Sequence, residues 1–237
     1  MTSANEIPAG PRRGLAEKRE AIVRAARAIF GRDGYARASI DAIAAGAGVS
    51  TRTIYNHFAG KELLFRTVVQ ESAGQVRAAH LDVIERHLAV VTDLEADLTA
   101  LGLAWVGALT DFADHFALVR QINADAAHLP RDLLESWQEA GPRCAVAELA
   151  LRFGELADNG LLVAADPGCA ATHFVQLTGS EVAQRSYWGA HPIGPAETAA
   201  IVTVGVQAFL RAYAAQPTPS AQPVQPVQPV RAAHAVP

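Results

Sequence analysis

A chain of 237 residues with a net charge of −4 can form one large domain or two smaller ones. Half of its residues are hydrophobic but only 6% are aromatic, and the abundance of alanine favours packed helices over sheets. Cys144 and Cys169 form no Cys-x-x-Cys pair, which argues against a zinc site and a disulfide framework. The composition therefore predicts an all-α protein without a metal or other cofactor.

Positive charge is concentrated at the beginning of the chain. Residues 1–66 contain eleven Lys or Arg residues against six acidic ones, a net charge of +5, whereas the remaining residues carry −9. This basic head, residues 1–66, precedes an acidic remainder of the chain. The charge pattern predicts a polyanionic partner for the basic head alone. The sequence shows neither a signal-peptide core nor a run of about 18 apolar residues, so we expect a cytoplasmic protein that does not enter a membrane.

Both ends of the chain differ in composition from its middle. Residues 1–14 combine proline, glycine and paired arginines, which predicts a flexible basic arm. In residues 215–237 prolines recur too often for a helix, so this segment is expected to be a disordered Pro-rich tail. Between these ends the pattern is helical, and the first helix is expected to begin near residue 15 and to end at Gly34.

Two short helices are expected next. The hydroxyl of Ser39 can cap the first of them, which should end near Gly46. The hydroxyl of Ser50 can cap the second, which places Ile54 and Phe58 four residues apart on its inner face. The short, glycine-containing connection between the two helices predicts a tight turn.

The remainder of the chain predicts longer helices, which bring the total to about nine. Pro167 and Pro195 mark two helix starts, because proline is preorganised for the first turn of a helix. The longer helices are expected at residues 60–86, 93–127 with a break near Asp114 or Phe116, 130–159, 167–188 and 195–214.

A long helix followed by two short ones around a tight turn predicts a helix-turn-helix, whose second short helix enters the major groove of DNA. Residues 51–57 of that helix are mostly hydrogen-bonding side chains. Arginine can bond guanine, threonine can contact a base or a thymine methyl group, and tyrosine, asparagine and histidine can hold phosphates. An ordinary helical hairpin explains this pattern less well, since it would leave the polar outer face and the basic charge of residues 1–66 without a reason. A dinucleotide-binding loop at residues 46–48 also explains it less well, since no strand precedes the glycines.

Residues 39–65 resemble the DNA-binding domain of the TetR family of transcriptional regulators. The similarity lies in the Gly-Val-Ser turn, in Thr-Ile-Tyr, in His-Phe and in Lys-Glu-Leu-Leu. It implies a three-helix DNA-binding domain at residues 15–60, followed at residues 61–214 by a larger helical domain that binds a small effector and dimerises.

The resemblance also implies roles for individual side chains. Ser39 and Lys61 are expected to hold phosphates at the starts of two helices, and residues 51–53 to face bases or nearby phosphates. Arg52 stands where many relatives have a small residue such as glycine, so a base contact by Arg52 would be particular to this chain. The residues expected to contact DNA are Arg37, Ser39, Ser50, Thr51, Arg52, Thr53, Tyr55, Asn56, His57 and Lys61.

The larger domain has candidate residues for its two expected tasks. An effector cavity needs mainly apolar and aromatic walls with a few polar groups. The candidates for its lining are Trp105, Phe112, Phe116, His128, Trp137, Phe153, His173 and Gln176. The last two helices are apolar enough for a four-helix interface in a homodimer, with the candidates Ala170, Phe174, Leu177, Val182, Ile201, Val204, Ala208 and Phe209.

The sequence therefore predicts a transcriptional regulator that binds a pseudo-palindromic operator as a dimer, because two recognition helices one DNA turn apart discriminate better than one. The resemblance implies a repressor that a small, largely apolar effector releases from double-stranded DNA. A ligand-dependent activator and a nucleic-acid-binding scaffold without sequence preference stay open. An enzyme is not expected, since the sequence lacks a G-x-S-x-G elbow, a P-loop and an H-E-x-x-H motif.

Overall fold

The computed structural model describes residues 11–215, with side chains from Gly14 onward. This part of the chain is all-α, as predicted, and its only extended pairing is an isolated bridge between Leu162 and Ala214. Its ten helices are α1 Pro11–Arg37, α2 Ile40–Ala47, α3 Thr51–His57, α4 Lys61–Leu88, α5 Leu94–Asp111, α6 Ala113–Asp125, α7 Arg131–Ala140, α8 Pro142–Asp158, α9 Pro167–Arg185 and α10 Pro195–Tyr213.

The first helix bends at Gly34, where the sequence predicts that it ends. The backbone of Gly34 has φ 76° and ψ 168°, a conformation that residues with a Cβ rarely adopt. A Cβ at this position would also lie 2.9 Å from Oε1 of Gln121 in α6. The chain then makes a last helical turn to Arg37.

The predicted basic arm and Pro-rich tail lie largely outside the described residues, which exclude residues 1–10 and 216–237. The last four residues of the predicted arm, 11–14, are the beginning of α1 instead. Pro11 opens that helix, in agreement with the preference of proline for the first turn. The boundary predicted between arm and helix was therefore several residues too late.

Two of the longer predicted helices are interrupted. The helix expected at residues 93–127 breaks at Phe112, two residues before the expected Asp114. The single helix expected at residues 130–159 is wrong, because the chain forms α7 and α8 there. Pro142 has no N–H to continue α7 and disfavours helical geometry in Gly141, whose φ and ψ are −130° and −88°.

Two hydrophobic cores lie along α4. The first joins α1, α2, α3 and the beginning of α4 to α6 and α7, around the buried side chains of Phe30, Ile54 and Phe65. The second joins the end of α4 to α5, α8, α9 and α10, around Phe153 and Phe174. Because α1 packs along α6 and α4 contributes to both cores, the predicted boundary at the start of α4 does not separate two independent cores.

Candidate nucleic-acid interface and internal cavity

Gly48 fixes the turn between α2 and α3. It ends α2 in the left-handed conformation, with φ 66° and ψ 33°, which glycine adopts without steric cost. The N–H of Gly48 donates to the carbonyl of Ala45 at 3.2 Å, and that of Val49 donates to the carbonyl of Ala44 at 3.0 Å. These bonds satisfy the last carbonyls of α2 and define the direction in which α3 begins.

Serine side chains cap both short helices, as the sequence predicts. Ser39 Oγ accepts a hydrogen bond from the N–H of Ala42 at 3.1 Å, and Ser50 Oγ accepts one from the N–H of Thr53 at 3.2 Å. The hydroxyls of Ser50 and Thr53 also lie 2.9 Å apart and share a hydrogen bond. Ser50 and Thr53 therefore stabilise the start of α3, while the exposed Ser39 hydroxyl keeps its own hydrogen for an outside acceptor.

The third helix has one buried and one exposed face. Ile54 is 1% exposed and Phe58, just after α3, is 3% exposed, so both anchor the helix in the first core. Tyr55 is 57% exposed, and Arg52 and Asn56 are exposed as well. The opposite faces present apolar anchors to the protein and polar side chains to the outside.

The predicted DNA-contacting residues differ in their accessibility. His57 has a buried Nε2 that finds no hydrogen-bond partner in the described part of the chain. The exposed members of the set are Arg37, Ser39, Ser50, Arg52, Tyr55 and Asn56, and the half-buried members are Thr51, Thr53, His57 and Lys61.

Lys61, the predicted phosphate anchor, also has an internal role. Its Nζ donates a hydrogen bond to the carbonyl of Ala36 at 3.2 Å and lies 4.7 Å from the ring centroid of Tyr35. Partial burial lowers the pKa of Lys61 below its ordinary value. The ammonium group thus ties the first turn of α4 to the end of α1, and two of its three donors remain for another acceptor.

A cavity of about 490 Å³ lies in the larger part of the molecule, and helices α4 to α9 all contribute to its walls. Its walls are mostly apolar and aromatic, and they include all three tryptophans of the chain: Trp105, Trp137 and Trp188. A volume of this size is typical of sites for small organic molecules.

Four of the eight predicted pocket residues line this cavity: Trp105, Phe116, Trp137 and Gln176. They come from α5, α6, α7 and α9, which are distant in sequence. The helix packing brings them together.

The other four predicted pocket residues lie elsewhere. Phe112 borders a smaller cavity of about 350 Å³, and His128 is exposed in the turn after α6. Phe153 is fully buried in the second core, and His173 lies at the surface with its Nδ1 2.6 Å from the hydroxyl of Tyr213. Residue type and region alone do not distinguish a cavity wall from a core or a surface position, so the sequence could not separate these four residues from those that line the 490 Å³ cavity.

Sequence reasoning missed several polar residues of the cavity, notably Arg77, His80 and His115. A usable signal was present in α4, where Arg77 and His80 recur three residues apart beside Ala73 and Val76 on an otherwise apolar face. Burying polar or charged groups on such a stripe is costly unless they find hydrogen-bond partners, so their presence there is a reason to look for a cavity or a binding partner.

Both imidazoles of the cavity are neutral at pH 7. His80 stacks on Trp105 with centroids 3.9 Å apart, its Nε2 lies 3.3 Å from the Trp105 carbonyl, and burial lowers its pKa to about 4. His115 Nδ1 lies 2.9 Å from the hydroxyl of Ser72. Burial, followed by the positive charge of Arg27 and the neighbouring His80, lowers the pKa of His115 to about 4 as well.

The predicted dimer residues divide into an outer and an inner group. Leu177 of α9 and Val204 of α10 are 43% and 65% exposed, and Ile201 and Ala208 are half-buried. The remaining four cannot meet a partner subunit, because their side chains fill the second core of the chain itself: Ala170, Phe174, Val182 and Phe209. Their assignment to the interface is therefore wrong.

Over residues 11–215 no helix combines the length and apolarity needed to cross a membrane. The same part of the chain contains no cluster of three or more His, Cys, Asp or Glu residues suited to a metal ion. Both cysteines are free and exposed.

Two family models match the chain. The model described as bacterial regulatory proteins of the tetR family matches residues 22–68, which extend from α1 into α4. The model described as the C-terminal domain of AefR-like transcriptional repressors matches residues 96–215, from α5 to the end of the described chain. Together they cover both the short helices and the cavity.

Solved structures are similar over most of the chain. A protein from Mesorhizobium loti MAFF303099 described as a TetR-family transcriptional regulator is 30% identical with a TM-score of 0.77, over 84% of this chain and 98% of that one. A TetR family transcriptional regulator from Pseudomonas syringae pv. tomato str. DC3000 is also 30% identical, with a TM-score of 0.61, over 84% and 97%. The flavonoid-responsive regulator FrrA is 27% identical with a TM-score of 0.62, over 84% and 98%. No protein of curated function matches the chain.

Proposed function

Because the chain belongs to the TetR family of transcriptional regulators, we propose that it is a repressor that binds a pseudo-palindromic operator as a homodimer. A small, largely apolar effector in the 490 Å³ cavity releases it from the DNA. Because its partner is DNA, we expect the regulator to act in the cytoplasm. We expect no membrane partner. The regulator needs no catalysis of its own.

The main support for sequence-specific DNA binding is that α3 has one buried and one exposed polar face. Ile54 and Phe58 hold the helix in the first core, and Arg52, Tyr55 and Asn56 are left on its outer face. Arginine and asparagine are the side chains that bond guanine and adenine edges in the major groove. A surface of this kind on a basic head supports sequence-specific DNA binding over a purely structural role for the helix.

The packing of α6 supports a link between the cavity and the DNA-binding helices. His115, Phe116 and Val119 of α6 line the cavity, while the same helix packs along α1. The approach is close, because a Cβ at Gly31 of α1 would lie 3.1 Å from Cβ of Ala117. An effector that displaces α6 therefore also displaces α1, and with it the short helices packed on α1.

The size of such a response is set by the effector's preference between two conformations. An effector can weaken DNA binding only by the factor by which it prefers the conformation that does not fit the operator. A hundredfold release requires about 2.7 kcal/mol of difference in effector binding. The family description as AefR-like repressors and the flavonoid response named for FrrA support a repressor that responds to a small molecule.

The outer face of α9 and α10 supports the homodimer. Leu177 and Val204 are exposed apolar side chains on adjacent, mutually packed helices. Pairing this face with its copy would bury both side chains and would place two α3 helices in one symmetric particle.

A competition gel shift tests the proposed function. The probe is the DNA upstream of the protein's own coding region, and the competitors are that same DNA and unrelated duplexes of equal length. We expect only the upstream DNA to displace the probe at low excess. Equal, salt-sensitive competition by every duplex would instead support the scaffold without sequence preference.

A further inference from the structure

The cavity contains a single formally charged side chain. Among its 23 lining residues Arg77 is the only Arg or Lys, and no Asp or Glu is present. The ion pairs within residues 14–215 do not include Arg77. The cavity therefore offers a positive charge and no protein anion to balance it.

Two buried N–H groups of the cavity have no hydrogen-bond partner in the described part of the chain. They are Nε of Arg77 and Nε1 of Trp137. Both groups can only donate hydrogen bonds. A buried donor without an acceptor is destabilising, and more so when it is charged, so a ligand that supplies acceptors gains this free energy on binding.

The two imidazoles of the cavity do not change its net charge. His80 and His115 are neutral at pH 7 and already face the carbonyl of Trp105 and the hydroxyl of Ser72. They add neither a second positive charge nor a negative one. The remaining polar side chains of the lining are neutral amides and a hydroxyl: Asn123, Gln138, Gln176 and Ser180.

We infer that the effector is an apolar organic anion whose acidic group pairs with Arg77. This inference rests on the proposed function, in which the cavity is the effector site. A carboxylate matches the fork of a guanidinium and supplies acceptors of the kind that both unpartnered donors lack. The apolar body of such a ligand, for example a pair of aromatic rings, suits a lining that includes Trp105, Phe116 and Trp188.

Three probes of nearly equal shape test the charge. Biphenyl-4-carboxylate, biphenyl-4-carboxamide and biphenyl-4-ylmethylammonium are titrated into the full chain by calorimetry at pH 7. We expect the carboxylate to bind at least tenfold more tightly than the amide, and the ammonium compound to bind most weakly. Because all three tryptophans line the cavity, binding there should also change the tryptophan fluorescence.

Variants of α4 test the partner residue. Arg77→Gln should weaken the carboxylate at least tenfold and the amide by less than about threefold, whereas Arg77→Lys should keep a preference for the carboxylate. The matched control is Arg86→Gln, which removes an exposed arginine of the same helix whose partner is Asp82. It should leave all three affinities unchanged.

Equal affinities of the wild-type chain for carboxylate and amide, tighter binding of the ammonium compound, or no binding of the carboxylate would each overturn the inference. These outcomes are measured on the wild-type chain, so they do not depend on whether a variant folds. Failure of the proposed function is read separately, in the gel shift. A carboxylate that binds without releasing specific DNA contradicts effector control, and loss of all sequence preference contradicts the regulator.

Discussion

At the scale of single residues, Arg52 and Lys61 should have separable effects on DNA binding. Arg52→Ala removes an exposed side chain of α3 and should cost about 1–3 kcal/mol on the best site while relaxing its sequence preference, if Arg52 bonds a guanine. Lys61→Ala should weaken all sequences similarly and lower the salt slope by roughly one ion. Fluorescence anisotropy with matched and mismatched duplexes at several salt concentrations measures both.

The matched control is Arg131→Ala, which removes an arginine of α7 whose side chain is 90% exposed. It should leave both quantities unchanged. If Arg52→Ala and Lys61→Ala behaved alike, the division into base and phosphate contacts would be wrong. Lys61→Ala should also lower the thermal stability, since its ammonium group bonds the Ala36 carbonyl.

The buried imidazoles predict a loss of stability in mild acid. The pKa values of His80 and His115 are about 4 in the folded chain, below the ordinary 6.5, so the unfolded chain binds protons first as the pH falls. Their stabilising contribution is complete above pH 6.5 and is lost between pH 6.5 and 4. By linkage each should lower the free energy of unfolding by about 2 kcal/mol between pH 7 and pH 5.

Urea unfolding at the two pH values measures this effect. His80→Gln and His115→Gln should each make the stability less dependent on pH, whereas His191→Gln, at an exposed position, should not. A wild-type free energy of unfolding that stays constant from pH 7 to pH 5 would contradict the account of these two side chains.

At the scale of helices, the contact between α9 and α10 depends on Gly205. A Cβ at Gly205 would overlap the carbonyl oxygen of Leu177, so Gly205→Ala should separate the two helices and destabilise the chain by about 1–3 kcal/mol. Gly74→Ala is the control, because a Cβ at that helical position would meet no atom of another helix within 4 Å. It should raise the stability by up to about 1 kcal/mol. Thermal unfolding compares them, and equal melting temperatures would refute the close packing.

The outer face of the same two helices should determine the oligomeric state. Introducing charge by Leu177→Glu and Val204→Glu should convert the proposed dimer to monomers, because a buried charge without a partner opposes association. Val90→Glu, at a position that is 78% exposed after α4, should leave the dimer intact. Light scattering after size exclusion gives the masses, and a double variant that is still dimeric would place the interface elsewhere.

Helix positions were largely predictable from sequence where local chemistry determines them. The capping of α2 and α3 by Ser39 and Ser50 depends on neighbouring residues alone, and the bend at Gly34 was indicated by the glycine itself. The break before Pro142 also has a local cause, because proline cannot continue the preceding helix. The break at Phe112 carries no glycine or proline, so its position depends on the packing of α5 and α6.

At the scale of the whole molecule, the cavity was predictable only in part, because six helices contribute to it. Trp105 and Phe153 are both large apolar residues of predicted helices, yet one lines the cavity and the other fills the second core. Only the three-dimensional packing separates them. The same holds for Leu177 and Phe174, three residues apart on α9, of which only Leu177 is exposed.

The central claim concerns the assembled molecule: two copies of α3 recognise one symmetric DNA site. Repeated selection of bound duplexes from a randomised DNA library by the purified chain tests it most directly. The account predicts enrichment of an imperfect palindrome whose half-sites are centred about one turn of DNA, roughly 34 Å, apart. A selected pool without any common sequence, or a single half-site without its mate, would contradict it.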